Sequence, residues 1–148
     1  MKTLIFLLVL FASLTFSPDA ILACSCLPTK SAAQELEQST AVFSGKVIQI
    51  KRRKQAENIF ASVEVTFRVE KAWKGLKRKT VTVYTSSNSA SCGYSFRVNQ
   101  TYLVYANGND EGKLSTGICS RTKRVKDARE DLKELGKGKV TAKNVPKV

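Results

Sequence analysis

Cys24 and Cys26 are separated by a single residue, and Cys92 and Cys119 each stand alone far downstream. This spacing constrains the chain more than any other feature. An even number of cysteines in a small exported chain reads as two disulfides. Zinc is the competing reading of four cysteines. Structural zinc sites are usually built from two Cys-x-x-Cys-like pairs, whereas the only close pair here is Cys-x-Cys, and no histidine is present to complete a mixed site.

The segment before Cys24 carries the expectation of export. Lys2 gives a positive start, Leu4 to Phe16 is apolar apart from Ser13 and Thr15, and Ser17-Pro18-Asp19 breaks the run. Ala23 then supplies a small residue before the cut, so residues 1–23 read as a signal peptide. Cleavage after Ala20 is the runner-up, and it puts Pro18 badly for a small-residue pattern. The apolar run is too short for a spanning helix of about 20 residues, and no later stretch serves as an anchor. The formal net charge of +13 survives cleavage, because Lys2 and Asp19 leave together. Ile21-Leu22-Ala23-Cys24 also loosely resembles a bacterial lipoprotein box; lipidation would consume the Cys24 thiol and leave three cysteines.

From residue 24 to 136 the length suits one domain. Alternation of period two dominates its middle. Val63, Val65, Phe67 and Val69 point one way against Ser62, Glu64, Thr66 and Arg68. Val42 to Gln49 is apolar on both faces, as in a curled barrel wall. Thr80 to Thr85, Thr101 to Ala106 and Lys113 to Cys119 complete about five strands. The expected fold is mainly β, a closed five-stranded antiparallel barrel with flanking helices. Ser31 to Thr40 has helical composition, and Val125, Ala128, Leu132 and Leu135 recur at helical spacing before Gly136. Each helix is expected to pack an apolar stripe on the barrel. Residues 137–148 read as a flexible basic tail. Trp73 and Tyr94 are read as core or strand aromatics.

Several segments together resemble a known family. The start Cys24-Ser25-Cys26-Leu27-Pro28, the stretch Ser91-Cys92-Gly93-Tyr94, Tyr102 to Ala106 and Thr116-Gly117-Ile118-Cys119 are similar to the N-terminal inhibitory domain of the tissue inhibitors of metalloproteinases. Val42 to Val47 and Lys71-Ala72-Trp73-Lys74-Gly75 agree more weakly. The resemblance implies a netrin-like module on an oligonucleotide/oligosaccharide-binding (OB) barrel. It also implies disulfides Cys24–Cys92 and Cys26–Cys119. The family's inhibitory domain usually carries a third bridge, which four cysteines do not allow, and its vertebrate members have a second cysteine-rich domain that is not seen here.

The chemistry implied is inhibition without a cofactor of the chain's own. The free α-amine and the carbonyl oxygen of Cys24 chelate the catalytic zinc of the target protease and displace its water. Ser25 enters the main specificity pocket, Leu27 and Pro28 follow the substrate groove, and Ser89, Ala90 and Ser91 touch the protease beside Cys92. The expected partners are zinc metalloproteinases, met by a secreted monomer. With no histidine, no Ser-His or Cys-His pair can be drawn, and no enzyme is expected. A module that keeps the cysteines without inhibiting is the bland alternative. Lys51 to Lys54, Lys71 to Lys79 and the tail suit extracellular polyanions such as sulfated glycosaminoglycans. Export and disulfides argue against nucleic acid, although barrel and charge permit it. Asn99-Gln100-Thr101 is a glycosylation sequon, usable in a eukaryotic host.

Overall fold

A computed structural model describes residues 24–26, 30–53, 62–109 and 112–140. The first helix, α1 (Ala32–Gln38), starts where Ser31 can cap it. The Ser31 hydroxyl accepts from Gln34 N at 3.1 Å, and Gln34 Oε1 accepts from Ser31 N at 2.9 Å. That reciprocal pair satisfies two amides that the helix cannot satisfy itself. The extended backbone of Ser39 ends the helix, and the chain enters the sheet at Ala41.

Two long strands, β1 (Ala41–Arg53) and β2 (Ser62–Lys74), pair antiparallel, and β3 (Thr80–Ser86) continues from β2. β4 (Thr101–Gly108) pairs with β1, and the two-residue β5 (Leu114–Ser115) bridges β4 to β3. The ring β1-β2-β3-β5-β4 therefore closes on itself. The closure corrects one detail of the expected antiparallel barrel: β3 and β5 run parallel. Five is an odd number, so strand directions cannot alternate all the way round a ring, and one seam has to be parallel. Lys113 to Cys119 is likewise not strand throughout. Only Leu114–Ser115 pair; the chain then turns to bring Cys119 to its partner.

β1 and β4 are apolar on both faces because both faces are covered. Phe43, Val47, Tyr102, Val104 and Ala106 fill the barrel with Val63, Val65, Phe67 and Val83. Three register shifts along the β1–β2 pairing curl the wall around them. Tyr94 and Phe96, from the irregular segment before β4, close one mouth: Phe96 stacks edge-on with Phe67 and Tyr102 at 5.2 and 4.9 Å. The outer faces of β1 and β4, with Val42, Leu103 and Tyr105, meet Leu36 of α1 and Ala128, Leu132 and Leu135.

β6 (Lys123–Arg124) runs beside β4, a 3₁₀ turn covers Val125–Asp127, and α2 (Arg129–Leu135) follows. The apolar stripe read from Val125 to Leu135 is thus carried by two short helical pieces. Residues expected as a tail begin with structure: β7 (Lys139–Val140) pairs with Lys71 and Ala72 of β2. Trp73 Nε1 donates to Gly136 O at 3.0 Å. Gly138 lies so close to the Trp73 ring that a Cβ would sit 2.8 Å from it. Among the described residues no helix is long and apolar enough to cross a membrane.

Candidate functional site

Two loops, each carrying a cysteine, are tied to one another by their own backbone as well as by the N-terminal residues. In the first, Asn88 Oδ1 accepts from Ser91 N at 2.9 Å and from Ser91 Oγ at 3.0 Å. This holds Ser89–Ser91 in a 3₁₀ turn capped by Cys92, whose φ of 60° is left-handed. Left-handed backbone costs a non-glycine residue about 1–2 kcal/mol. Here Cys92 N donates to Ser89 O, and Gly93 N to Asn88 O, so the turn is over-determined. Gly93 lies against Ser86 O, leaving no room for a side chain.

The second loop is Thr116–Arg121. Thr116 Oγ1 donates to Tyr105 O at 2.8 Å and lies 2.9 Å from both Ser120 Oγ and Thr122 Oγ1. Ile118 N donates to Cys92 O at 3.0 Å, which ties the two loops directly. The approach requires Gly117, where a Cβ would stand 2.5 Å from Cys92 O.

Onto this paired platform come Cys24, Ser25 and Cys26. Cys24 bridges to Cys92 with 5.5 Å between Cα atoms, and Cys26 to Cys119 with 5.1 Å. The Cys24 and Cys119 sulfurs are 3.7 Å apart, so the bridges lie against one another. Ser25 stands exposed between them. The sulfurs of Cys24, Cys26 and Cys119 fall within 4.8 Å of one another. That clustering comes from the adjacent disulfides, and among the described residues no cysteine is free to bind zinc as a thiolate. The Cys24 sulfur that lipidation would use is likewise bonded.

Ser89 and Ala90 are exposed and Ser91 half-buried, all in the turn that leads into Cys92. They are thereby brought beside Cys24. Leu27 and Pro28 lie outside the described residues. Asn99 is exposed at φ 67° in the turn before β4, and its N–H donates to Val47 O.

Sequence reasoning missed the residues that flank this ridge. Ile118 is 40% exposed beside Cys119. A cleft of about 410 Å³ runs past Ser25 and Cys26 to Lys30, Ile118, Arg121 and Lys123. Behind it Asp131 is 2% exposed and takes four hydrogen bonds. Arg121 Nη2 and Nε donate at 2.6 and 3.0 Å, Lys123 Nζ at 3.1 Å and Tyr105 OH at 3.2 Å. Burial alone would raise the Asp131 pKa, but the hydrogen bonds from Arg121 and Lys123 outweigh it and hold the carboxyl below the usual range. Tyr105 is pushed up by burial and by the Asp131 charge. Arg121 also donates from Nη1 to Lys30 O. Glu134 Oε2 and Oε1 accept from Ala32 N and Ala33 N at 3.2 and 2.9 Å, and those amides lower its pKa.

The family model described as tissue inhibitor of metalloproteinase matches residues 22–133, most of the chain. The chain belongs to that family. The matched span takes in the two disulfides, the whole barrel and nearly all of α2 of this TIMP-family protein. The family's description is of inhibitors of metalloproteinases rather than of enzymes. No curated protein sequence matches this TIMP-family chain.

Proposed function

We propose that the mature protein begins at Cys24, is secreted, and inhibits zinc metalloproteinases by laying its first residues over the catalytic metal. The α-amine and carbonyl oxygen of one residue form a five-membered chelate, and a catalytic zinc keeps one position open for the water they displace. Ser25 enters the specificity pocket, where a small hydroxyl clashes with little. Leu27 and Pro28 extend along the groove, and Ser89, Ala90 and Ser91 rest on its rim.

The observation that carries this reading is the pair of abutting disulfides flanking an exposed Ser25. A free tail loses conformational entropy on entering a cleft; a residue anchored on both sides has lost it already. The amine binds metal only when deprotonated, and free α-amines titrate near ~8. Inhibition therefore weakens as pH falls below neutrality. The decisive comparison sets the native protein against a form with one extra N-terminal alanine, with mass spectrometry fixing the first residue of each. A loss of at least about a hundredfold in the extended form is expected, equivalent to ~3 kcal/mol of metal coordination. Equal inhibition by both forms refutes the chelate.

A second reading adds an extracellular polyanion as partner. The β7–β2 pairing carries Lys139 to Ala72. It completes a cleft of about 470 Å³ floored by Trp73 and Leu76 and edged by Lys74, Lys77, Arg78 and Lys139. Neutralising Lys77, Arg78 and Lys139 together should weaken binding to a sulfated polysaccharide more than the same charge removed from Lys51, Arg52 and Lys126. Equal losses would reduce this to bulk charge.

A further inference from the structure

The basic cleft beside β7 does not end at Arg78. Gly75, Leu76 and Arg78 line it and also line a second cleft of about 650 Å³ on the outer face of β2 and β3. The turn that carries them is fixed at both ends. Gly75 has a φ of 75°, and a Cβ there would stand 2.2 Å from Thr40 O. At the other end Lys79 O accepts from Val69 N at 2.8 Å. Arg78 therefore stands on a held turn at the junction of the two clefts.

The two halves differ in chemistry. Among the described residues no acidic side chain lines either cleft. In the first, Lys74 Nζ donates to Leu36 O and Glu37 O at the end of α1, so its charge serves the helix. Lys77, Arg78 and Lys139 are exposed. In the second, Thr66 of β2 and Thr80, Thr82 and Tyr84 of β3 face outward, alternating with the buried Val65, Phe67 and Val83. Thr66 and Thr82 are cross-strand partners with their hydroxyls 3.4 Å apart. Between them they keep at least three acceptor lone pairs and at most two donors. Such a pair favours a ligand that brings O–H donors, whereas sulfate and phosphate oxygens only accept.

We propose that the two clefts form one groove for a linear sulfated oligosaccharide. Its sulfates sit at Lys77, Arg78 and Lys139, and the sugar hydroxyls next along the chain donate to Thr66 and Thr82, with Tyr84 beyond them. This rests on the polyanion reading above and narrows its partner from any dense anion to a sugar chain. Charge supplies the attraction, which salt screens. The threonine wall supplies the selection, because a polyphosphate matches the cations but has no hydroxyl to donate.

The test uses the full mature protein as wild type and as three variants: Thr66→Val with Thr82→Val, Thr66→Ser with Thr82→Ser, and Lys77→Gln with Arg78→Gln and Lys139→Gln. Valine suits a half-buried strand position, and the melting temperature of each variant checks its fold. The probes are a heparin octasaccharide and a linear polyphosphate of equal charge, each titrated by calorimetry at one fixed ionic strength. The valine pair should lose roughly tenfold in affinity for the octasaccharide, as for two neutral hydrogen bonds, and less than about twofold for polyphosphate. The serine pair keeps both hydroxyls and should bind both probes as wild type does. The charge variant should lose at least about tenfold for both. Equal losses of the valine pair on the two probes, or none on the octasaccharide, overturn the groove while leaving the basic cleft standing. The same loss in the serine pair assigns the effect to packing and overturns the groove too. A wild type that does not bind the octasaccharide, or a charge variant that binds it as tightly as wild type, removes the polyanion reading together with this one.

Discussion

Asp131 is the residue on which the ridge's surroundings turn. Its carboxylate is buried and accepts from Arg121, Lys123 and Tyr105. Removing one partner of a buried ion pair is costly because the others keep their charge without a counter-ion. Arg121 and Lys123 are partly exposed, and water recovers part of that loss. Asp131→Asn should therefore cost about 2–3 kcal/mol in urea unfolding at neutral pH, below the full cost for wholly buried pairs. The pH dependence has a definite sign. A carboxyl held below its unfolded value contributes stability that is complete above the unfolded pKa, near ~3.9 for aspartate, and is lost as pH falls through the lower folded value. Wild type should lose stability in that acid window, and Asp131→Asn should lose much less there. Parallel acid profiles for the two proteins would remove Asp131 from the stability of the fold.

Among the elements, β7 makes the clearest test. Ending the chain at Gly136 keeps the acceptor for Trp73 Nε1 but removes Gly138 from its ring and Lys139–Val140 from β2. Trp73 is the sole tryptophan, so its emission reports the change. A red shift and a stability loss of about 1–2 kcal/mol are expected from the re-exposed ring, with inhibition unchanged. An unshifted spectrum would mean that β7 does not cover Trp73 in solution. This element also marks where the sequence stops being legible. Lys137 to Lys139 has no apolar pattern, because two residues of edge pairing and a glycine against an indole leave no periodicity. By contrast, β2 was readable from Val63, Val65, Phe67 and Val69, since one face is buried and the other is not. β1 and β4 were readable as strands, and their two apolar faces as a wall covered on both sides. The parallel β3–β5 seam follows from ring parity and not from any residue. At the site, Cys24 and Cys26 announced themselves by position. Arg121, Asp131 and Glu134 did not, for they look like ordinary surface charges until the helices fold over β4.

For the molecule as a whole, the disulfide ridge and the basic cleft beside β7 lie toward opposite ends of β2. Ser62 of β2 pairs with Ser86, which borders Gly93 and the ridge platform. The other end of β2 carries Lys71 to Lys74 and meets β7. A strand of 13 residues spans at most roughly 40 Å. A polyanion on the basic cleft would thus leave the ridge free for a protease. The bridges close separations of 68 and 93 residues, for which chain entropy allows up to about 4–5 kcal/mol each. Replacing Cys26 and Cys119 by serine should lower stability by about 3 kcal/mol. It should also abolish tight inhibition at temperatures where the variant is still folded. Retained inhibition by that folded variant would mean that the ridge does not need its second anchor.

The proposed coordination by the Cys24 amine can be tested directly at the metal. Cobalt(II) substituted for the zinc of a target protease reports its ligand set through visible absorption. The native protein, starting at Cys24, should change the cobalt spectrum as nitrogen and oxygen replace water, at one equivalent and with inhibition. The same protein with its α-amine acetylated should leave the spectrum of the water-bound metal unaltered. An identical spectral change and equal inhibition from the acetylated form would contradict coordination by Cys24.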